Sequence, residues 1–362
     1  MAPMSGSALR DLQVASRLVW KRGLPASLIF FVTSKCNLAC RHCFYWRELN
    51  QKRDELTLTE IEKITRSVPN LLTVSLTGGE PYLRPDLPDI AAAFERNSHV
   101  RNIQIPSNGF AVDLTLKRAG ELLAKVRTAR VATGVSLDGP PEIHNEIRQN
   151  AQSYDRALET LRGLKGLKQA HPNLSVGVAL TLSAANQERI MDFYREIAET
   201  LAPDAITLTL VRGNPIDPEL KVVDLEKYAQ ISEEIIRYRR AHRPINAWTD
   251  RLVIAKEHET YRLVLETASA ARRVSPCYAG HLVGILNETG QVYLCETLDR
   301  TMGNVRDFGC DFSALWSSDA ADAARRYQVE LGCHCTYECA TSVNSLFNPR
   351  RAWRILKESI LA

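Results

Sequence analysis

The sequence predicts an α/β fold: an open, partial (βα)6 barrel over residues 27–215, followed by a small cysteine-rich α+β module. Two observations carry this. From about residue 27, short β-rich runs alternate with longer helical patterns, the signature of a parallel sheet with helices outside it. The nine cysteines also avoid the middle of the chain: three lie between 36 and 43, none between 44 and 276, and six beyond. Cysteines placed only to fill a core would not leave such a gap.

The strand-like runs are 28–33, 73–77, 102–106, 133–137, 174–181 and 205–211. Between them, residues 59–67, 87–97, 114–125, 154–165 and 187–201 show helical periodicity. Thr57 or Thr59, with Glu60 and Glu62 close behind, and Ser153 supply helix-capping signals. Six units are too few for a closed eight-unit barrel, and functional loops are expected at the C-terminal strand ends. After Gly213-Asn214-Pro215 the pattern becomes two helices, 225–240 and 250–273. From Cys277 a hairpin around 287–290, turns and the dense 333–339 stretch read as a separate module, too poor in apolar residues to fold without a staple. The expected domains are therefore an N-terminal extension (1–26), a core (27–215), a helical linker (216–276) and the cysteine-rich module (277–362). No repeat beyond the βα period and no low-complexity segment occurs.

Hydrophobic residues make up 45% and charged residues 24% of the 362, as in ordinary globular chains. A net charge of +4, with basic residues scattered as at Arg237, Arg239 and Arg240, offers nothing to nucleic acid. No apolar run approaches the roughly 18 residues that span a bilayer. Residues 1–21 lack the continuous apolar stretch of a signal peptide. A cytoplasmic protein without membrane partners is expected. Nine cysteines, an odd number without an export signal, suggest metal or redox chemistry rather than disulfides.

Cys36, Cys40 and Cys43 are spaced C-x3-C-x2-C on a loop just past the first strand. Three thiolates can hold three irons of a [4Fe–4S] cube and leave the fourth open to a small molecule. Zinc is the alternative, with His42 as fourth ligand, but structural zinc sites usually combine two ligand pairs. The stretch from Cys36 to Cys43, followed by Phe44 and Tyr45, resembles the cluster loop of the radical S-adenosylmethionine (radical SAM) superfamily. Gly78-Gly79-Glu80-Pro81 ends the second strand and is similar to the motif that holds the SAM amino group. Ser107-Asn108-Gly109 ends the third. Val135-Ser136-Leu137-Asp138-Gly139 ends the fourth, with His144 and Arg148 following. The resemblance covers residues 27 to 215. It implies a [4Fe–4S] cluster whose open iron is chelated by SAM, and reductive cleavage of SAM to a 5′-deoxyadenosyl radical. It places Phe44, Tyr45, Gly78, Gly79, Glu80, Pro81, Ser107, Asn108, Ser136 and Arg148 at the cofactor, with Ser136 and Arg148 on the SAM ribose or carboxylate.

Cys277 and Cys295 flank the predicted hairpin, and Gly290 precedes Cys295 by five positions. This resembles the opening of the auxiliary-cluster extensions called SPASM and twitch domains. Two further cubes would need about eight thiolates, so one auxiliary [4Fe–4S] cluster fits better. Cys277 and Cys295 are the firmest ligands; two more come from Cys333, Cys335 and Cys339, and the spacing leaves open which is left over. Cys310 reads as a plain buried thiol, and zinc on four of these residues is the alternative.

A radical SAM enzyme implies hydrogen abstraction from a positioned substrate and a reducing flavodoxin or ferredoxin as electron source. Oxidation, epimerisation, dehydration and decarboxylation all remain open. Only about 26 residues precede the first strand, where peptide-modifying relatives often carry a peptide-binding domain. A small polar metabolite of sugar, nucleoside or aminocyclitol type is therefore expected ahead of a ribosomally made peptide. A non-catalytic iron–sulfur or zinc protein is the further alternative. Arg212, Asp250 and Glu296 are candidate substrate contacts, although a salt bridge is the commoner fate of such residues. No catalytic base or hydrogen donor is identified; Cys310 and the unassigned cysteine of the last trio are the thiols to test.

Overall fold

A computed structural model describes residues 23–242 and 248–361, so most of the expected 1–26 extension lies outside the described residues. The six expected strands are β1 (Ser27–Thr33), β2 (Thr73–Gly78), β3 (Asn102–Ser107), β4 (Arg130–Ser136), β5 (Leu174–Leu182) and β6 (Ala205–Leu210). They pair in parallel in chain order. Their crossovers are α1 (Leu58–Ser67), α2 (Leu87–Ser98), α3 (Val112–Lys125), α4 (Pro141–Arg148), α5 (Ser153–Lys168) and α6 (Ile190–Thr200). Alternate residues of β5 are buried, as expected where one face is covered by helices. In β1 both faces are covered: Leu28, Phe30 and Val32 join the main core, while Ile29 and Phe31 join a smaller apolar cluster on the other side.

Thr57 caps α1, its side chain accepting from the Glu60 N–H while Glu60 reaches back to the Thr57 N–H. Ser153 is the first residue of α5 rather than its cap, and its hydroxyl bonds His144 instead. The sequence reading missed α4, whose eight residues, PEIHNEIR, show too short and polar a pattern.

The cysteine-rich part is not separate. β7 (Val283–Leu286) pairs in parallel with β1, Ser27 opposite Val283 and Phe30 opposite Leu286. β8 (Gln291–Tyr293) and β9 (Thr301–Asn304) follow antiparallel, giving a nine-stranded sheet in the order β6-β5-β4-β3-β2-β1-β7-β8-β9. An uncovered β1 edge would leave a row of backbone donors and acceptors unpaired, and β7 satisfies it. The expected helices are α7 (Leu225–His242) and α8 (Trp248–Ala270). Four more complete the chain: α9 (Phe312–Trp316), α10 (Asp319–Glu330), α11 (Glu338–Phe347) and α12 (Pro349–Leu361). The expectation of a module needing its own staple is corrected here. Val292, Met302, Phe312, Leu315 and Trp316 belong to the same continuous core as the barrel, so the segment borrows a core instead of building one. Among the described residues no helix is long and apolar enough to cross a membrane.

Candidate functional site

The loop after β1 carries Cys36, Cys40 and Cys43, and backbone contacts hold it in place. Gly79 N–H donates to Thr33 O (2.9 Å) and Glu80 N–H to Lys35 O (2.8 Å). A Cβ on Gly78 would lie 2.3 Å from Thr33 O and one on Gly79 2.2 Å from Lys35 O. The glycines thus let the end of β2 press against the cysteine loop itself. Asn50 clasps Cys36 from the other side through its N–H and its carbonyl, both at 3.0 Å.

The three thiols lie within electrostatic reach of one another. Burial, then Glu80 and the other two cysteines, pushes Cys36 up to about 12; burial likewise pushes Cys43 up to about 11. Asn108 Nδ2 approaches Cys36 Sγ at 3.8 Å, and Arg148 Nη1 approaches Cys40 Sγ at 3.7 Å. Buried thiols held up in this way become thiolates only against positive charge, which iron supplies, and donors aimed at sulfur suit that anionic state. His42 faces Asp138, Arg148 and Arg212, and burial lowers it to about 4. The donor set fits a [4Fe–4S] cluster.

The other strand ends are tied together beneath this loop. Glu80 is buried and accepts from the Asn108 N–H (2.7 Å), the Ser107 hydroxyl (3.0 Å) and the Tyr82 N–H (3.2 Å), binding the end of β2 to that of β3. Burial still pushes its carboxyl up to about 7. Asn108 also donates to Asn37 Oδ1 at 2.8 Å. Past β4, Asp138 accepts from Arg148 Nε (2.7 Å) and Thr181 N–H (3.2 Å). Burial works to raise Asp138, but Arg148 and the neighbouring histidines outweigh it and hold it at about 2. His144 Nδ1 accepts the Asp138 N–H, which leaves Nε2 to donate to Ser153 Oγ, each at 3.0 Å. Ser136 is half-buried at the end of β4, and Pro81 is buried. The structure thus sets Gly78, Gly79, Glu80, Asn108 and Arg148 against the cysteine loop and ties Ser107 to it through Glu80, whereas Tyr45 turns away. That ring packs on Phe31 with centroids 4.6 Å apart, and its hydroxyl bonds Glu288.

Comparison with known proteins decides the family. The radical SAM superfamily matches residues 30–197, the span from β1 to α6 that holds the three thiols and all four strand ends. The chain carries a radical SAM domain. It is 26% identical over 339 residues to the AdoMet-dependent heme synthase of Oleidesulfovibrio alaskensis, covering 87% of this chain and 81% of that one. It is 27% identical over 301 residues to mycofactocin maturase MftC of Mycolicibacterium smegmatis, covering 79% and 69%. Streptococcus suis SuiB, solved with S-adenosylmethionine, superposes with a TM-score of 0.63 at 18% identity, covering 90% of this chain and 75% of SuiB. That likeness establishes the fold, C-terminal extension included. The family's cofactors are a [4Fe–4S] cluster and SAM, which together supply reductive cleavage to methionine and a 5′-deoxyadenosyl radical.

In the C-terminal part, Cys277, Cys295, Cys333 and Cys335 lie within electrostatic reach of one another. Burial, followed by the charges of Cys295, Cys277 and Cys333, pushes the Cys335 thiol up to about 12. Cys295 and Cys333 are each also within reach of Cys277. Cys339 lies within electrostatic reach of Arg212, Glu296 and Glu338 and beside Tyr337. Cys310 is buried in the main core, as the sequence suggested. Of the candidate substrate contacts, Arg212 and Glu296 pair with each other at 3.0 Å, and Asp250 is exposed in the first turn of α8. The Arg212 guanidinium lies between the rings of Phe44 and Tyr337, 5.0 and 4.7 Å from their centroids. Two surface hollows of ≈ 320 and 310 Å³ lie elsewhere, lined by residues such as Tyr154 and Arg162 or Arg262 and Arg354.

Two site residues had escaped the sequence reading. Glu288, fully buried in the β7–β8 turn, accepts from Tyr45 and Arg53 and joins the extension to the cysteine loop. Glu338, at the start of α11, accepts the Leu210 N–H at 2.6 Å and closes the end of β6. An isolated glutamate gives no sequence signal of burial, so neither was legible.

Proposed function

We propose that this radical SAM enzyme carries two [4Fe–4S] clusters and takes a hydrogen atom from a small polar metabolite of sugar, nucleoside or aminocyclitol type. Cys36, Cys40 and Cys43 hold the SAM-binding cluster, and Cys277, Cys295, Cys333 and Cys335 hold the auxiliary one. Gly78, Gly79, Glu80, Pro81, Ser107, Asn108, Ser136, Arg148 and Phe44 form the cofactor's surroundings. The observation that supports the substrate class is the wall around Arg212. This charged residue, largely buried and paired with Glu296, has an Nε without a hydrogen-bond partner, and Glu338 Oε2 nearby also lacks one. Buried polar atoms left unsatisfied are costly, and a ligand bearing hydroxyl, amino or carboxylate groups would satisfy them. Oxidation, epimerisation, dehydration and decarboxylation are the net reactions such a site can serve.

The second reading, modification of a ribosomally made peptide, is favoured by the relatives. Mycofactocin maturase is one, and SuiB has been solved with its precursor peptide SuiA. Anaerobic reconstitution, iron and sulfide counting, and assay of 5′-deoxyadenosine with dithionite and SAM test the core of the proposal. About eight irons per chain with nucleoside formation is expected; zinc, or iron without nucleoside formation, would overturn it. Nucleoside release stimulated by a candidate peptide, and by no polar metabolite, would favour the second reading.

A further inference from the structure

Where α12 packs on α8, the two helices share a hollow with α7. Arg354, Lys357, Glu358 and Leu361 recur at intervals of one turn, so they lie along one side of α12. Arg240 from the end of α7 and Arg262 from α8 complete the lining of a pocket of ≈ 310 Å³. That volume lies at the small end of ligand pockets.

Four cations and one carboxylate line the space. The carboxylates around it are already matched from the protein side. Glu358 accepts from His258 Nδ1 at 2.6 Å, and the same ring turns Nε2 to Glu233 at 2.8 Å. Two donated bonds require the imidazolium. His258, 4% exposed, therefore brings a buried positive charge up behind Glu358. Glu259 and Glu266 are held by Arg351 at 2.6 and 2.5 Å.

The cations, by contrast, keep donors to spare. Arg240 pairs with Glu358, but its Nε is buried without a hydrogen-bond partner. Arg262 meets Glu358 at 3.2 Å and is otherwise 4.0 Å from Glu259. Arg354 comes within only 3.6 and 3.7 Å of Glu259 and Glu266, too far for hydrogen bonds. Lys357 is exposed and has no ion pair among the described residues. Like charges brought together from three helices repel one another, and an anion between them would relieve that repulsion. Guanidinium forks suit phosphate oxygens, to which a lysine adds a point charge.

We propose that this pocket binds the phosphate group of a small phosphorylated metabolite, with Arg240, Arg262, Arg354 and Lys357 around its oxygens. A compact anion fits such a recess and meets all three helices. A membrane or an acidic protein surface would meet chiefly the exposed Arg354 and Lys357 of α12. No cysteine and no strand-end residue of the radical SAM site lines the pocket, so the inference goes beyond the function proposed above. Bound phosphate would tie α7, α8 and α12 together and stabilise the folded chain by mass action.

The test is equilibrium dialysis of radiolabelled pyrophosphate against the anaerobically reconstituted full chain at constant ionic strength. Saturable binding of about one pyrophosphate per chain is expected, with a dissociation constant below about 1 mM. Inorganic phosphate should displace it, and chloride should not. Absence of saturable binding would overturn the proposal. Arg354→Glu combined with Lys357→Glu should weaken binding at least about tenfold. Lys117→Glu combined with Arg127→Glu makes the same charge change at exposed positions on and just after α3. That pair should weaken binding less than about twofold, because salt screens distant surface charges. Equal losses in the two pairs would reduce the effect to general attraction and end the proposal. Arg240→Gln, on a different helix, should weaken binding at least about threefold. Wild-type binding in that variant would leave a basic stripe on α12 alone and overturn the pocket. Circular dichroism and iron content of each variant check that it is folded and loaded. Binding to phosphatidylserine vesicles without binding of pyrophosphate would assign the patch to a membrane surface instead.

Discussion

At the scale of single residues, the site works by placing polar atoms where burial makes them expensive to leave unpaired. Arg148 shows this best: it neutralises the buried Asp138 and reaches Cys40. Arg148→Ala would leave Asp138 uncompensated and is expected to destabilise the fold by about 3–5 kcal/mol, read as a shift in urea midpoint. Asp138→Asn combined with it should recover part of the loss. His144 is a second case. Burial lowers its pKa from 6.5 to about 4, so the unfolded chain takes up the proton first as pH falls. Its contribution is fully present above pH 6.5 and is lost on the way down to about 4. Stability should drop by roughly 2 kcal/mol between pH 7 and 5 from this group alone. Urea titrations at the two pH values should show a shallower drop in His144→Asn, and equal drops would contradict the assignment. At Gly79 the issue is space. Alanine there would press its Cβ on Lys35 O and force the cysteine loop outward, for about 1–3 kcal/mol. Poorer iron retention at the first cluster should accompany it in the same preparations.

At the scale of elements, local signals and tertiary contacts divide the work. The start of α1 is written locally in Thr57 and Glu60, and Thr57→Ala should cost about 1 kcal/mol of stability by denaturant titration. The same Glu60 also receives Arg306 from the turn after β9, which pulls the extension against the barrel. The alternation of β-rich and helical runs located all six barrel strands to within a few residues, because each strand buries a regular apolar row. The short α4 escaped because one buried isoleucine and a histidine make no stripe. The C-terminal helices escaped because their apolar residues are sparse. They are sufficient only because Trp316 and Phe312 pack into a core already built.

At the scale of the whole molecule, β7 is the hinge of the design: it extends the barrel sheet and carries the extension with it. Gly284 faces Trp316, where an added Cβ would come within 3.0 Å of the indole. One core running through both parts predicts one cooperative unfolding transition by calorimetry of the apoprotein. Two well-separated transitions would show that the extension folds alone.

What the sequence by itself determined is what depends on local order: the C-x3-C-x2-C loop, the strand-end motifs, the βα rhythm and the cofactor chemistry these imply. Residues close in sequence constrain one another directly, so their spacing is legible. Only the tertiary structure decided that β7 completes the edge of β1. It alone brought Glu288 to Tyr45, put Cys335 within electrostatic reach of Cys277, Cys295 and Cys333, and paired Arg212 with Glu296. Those pairings join residues tens to hundreds of positions apart, and they follow from which buried groups must find partners once the chain has closed on itself.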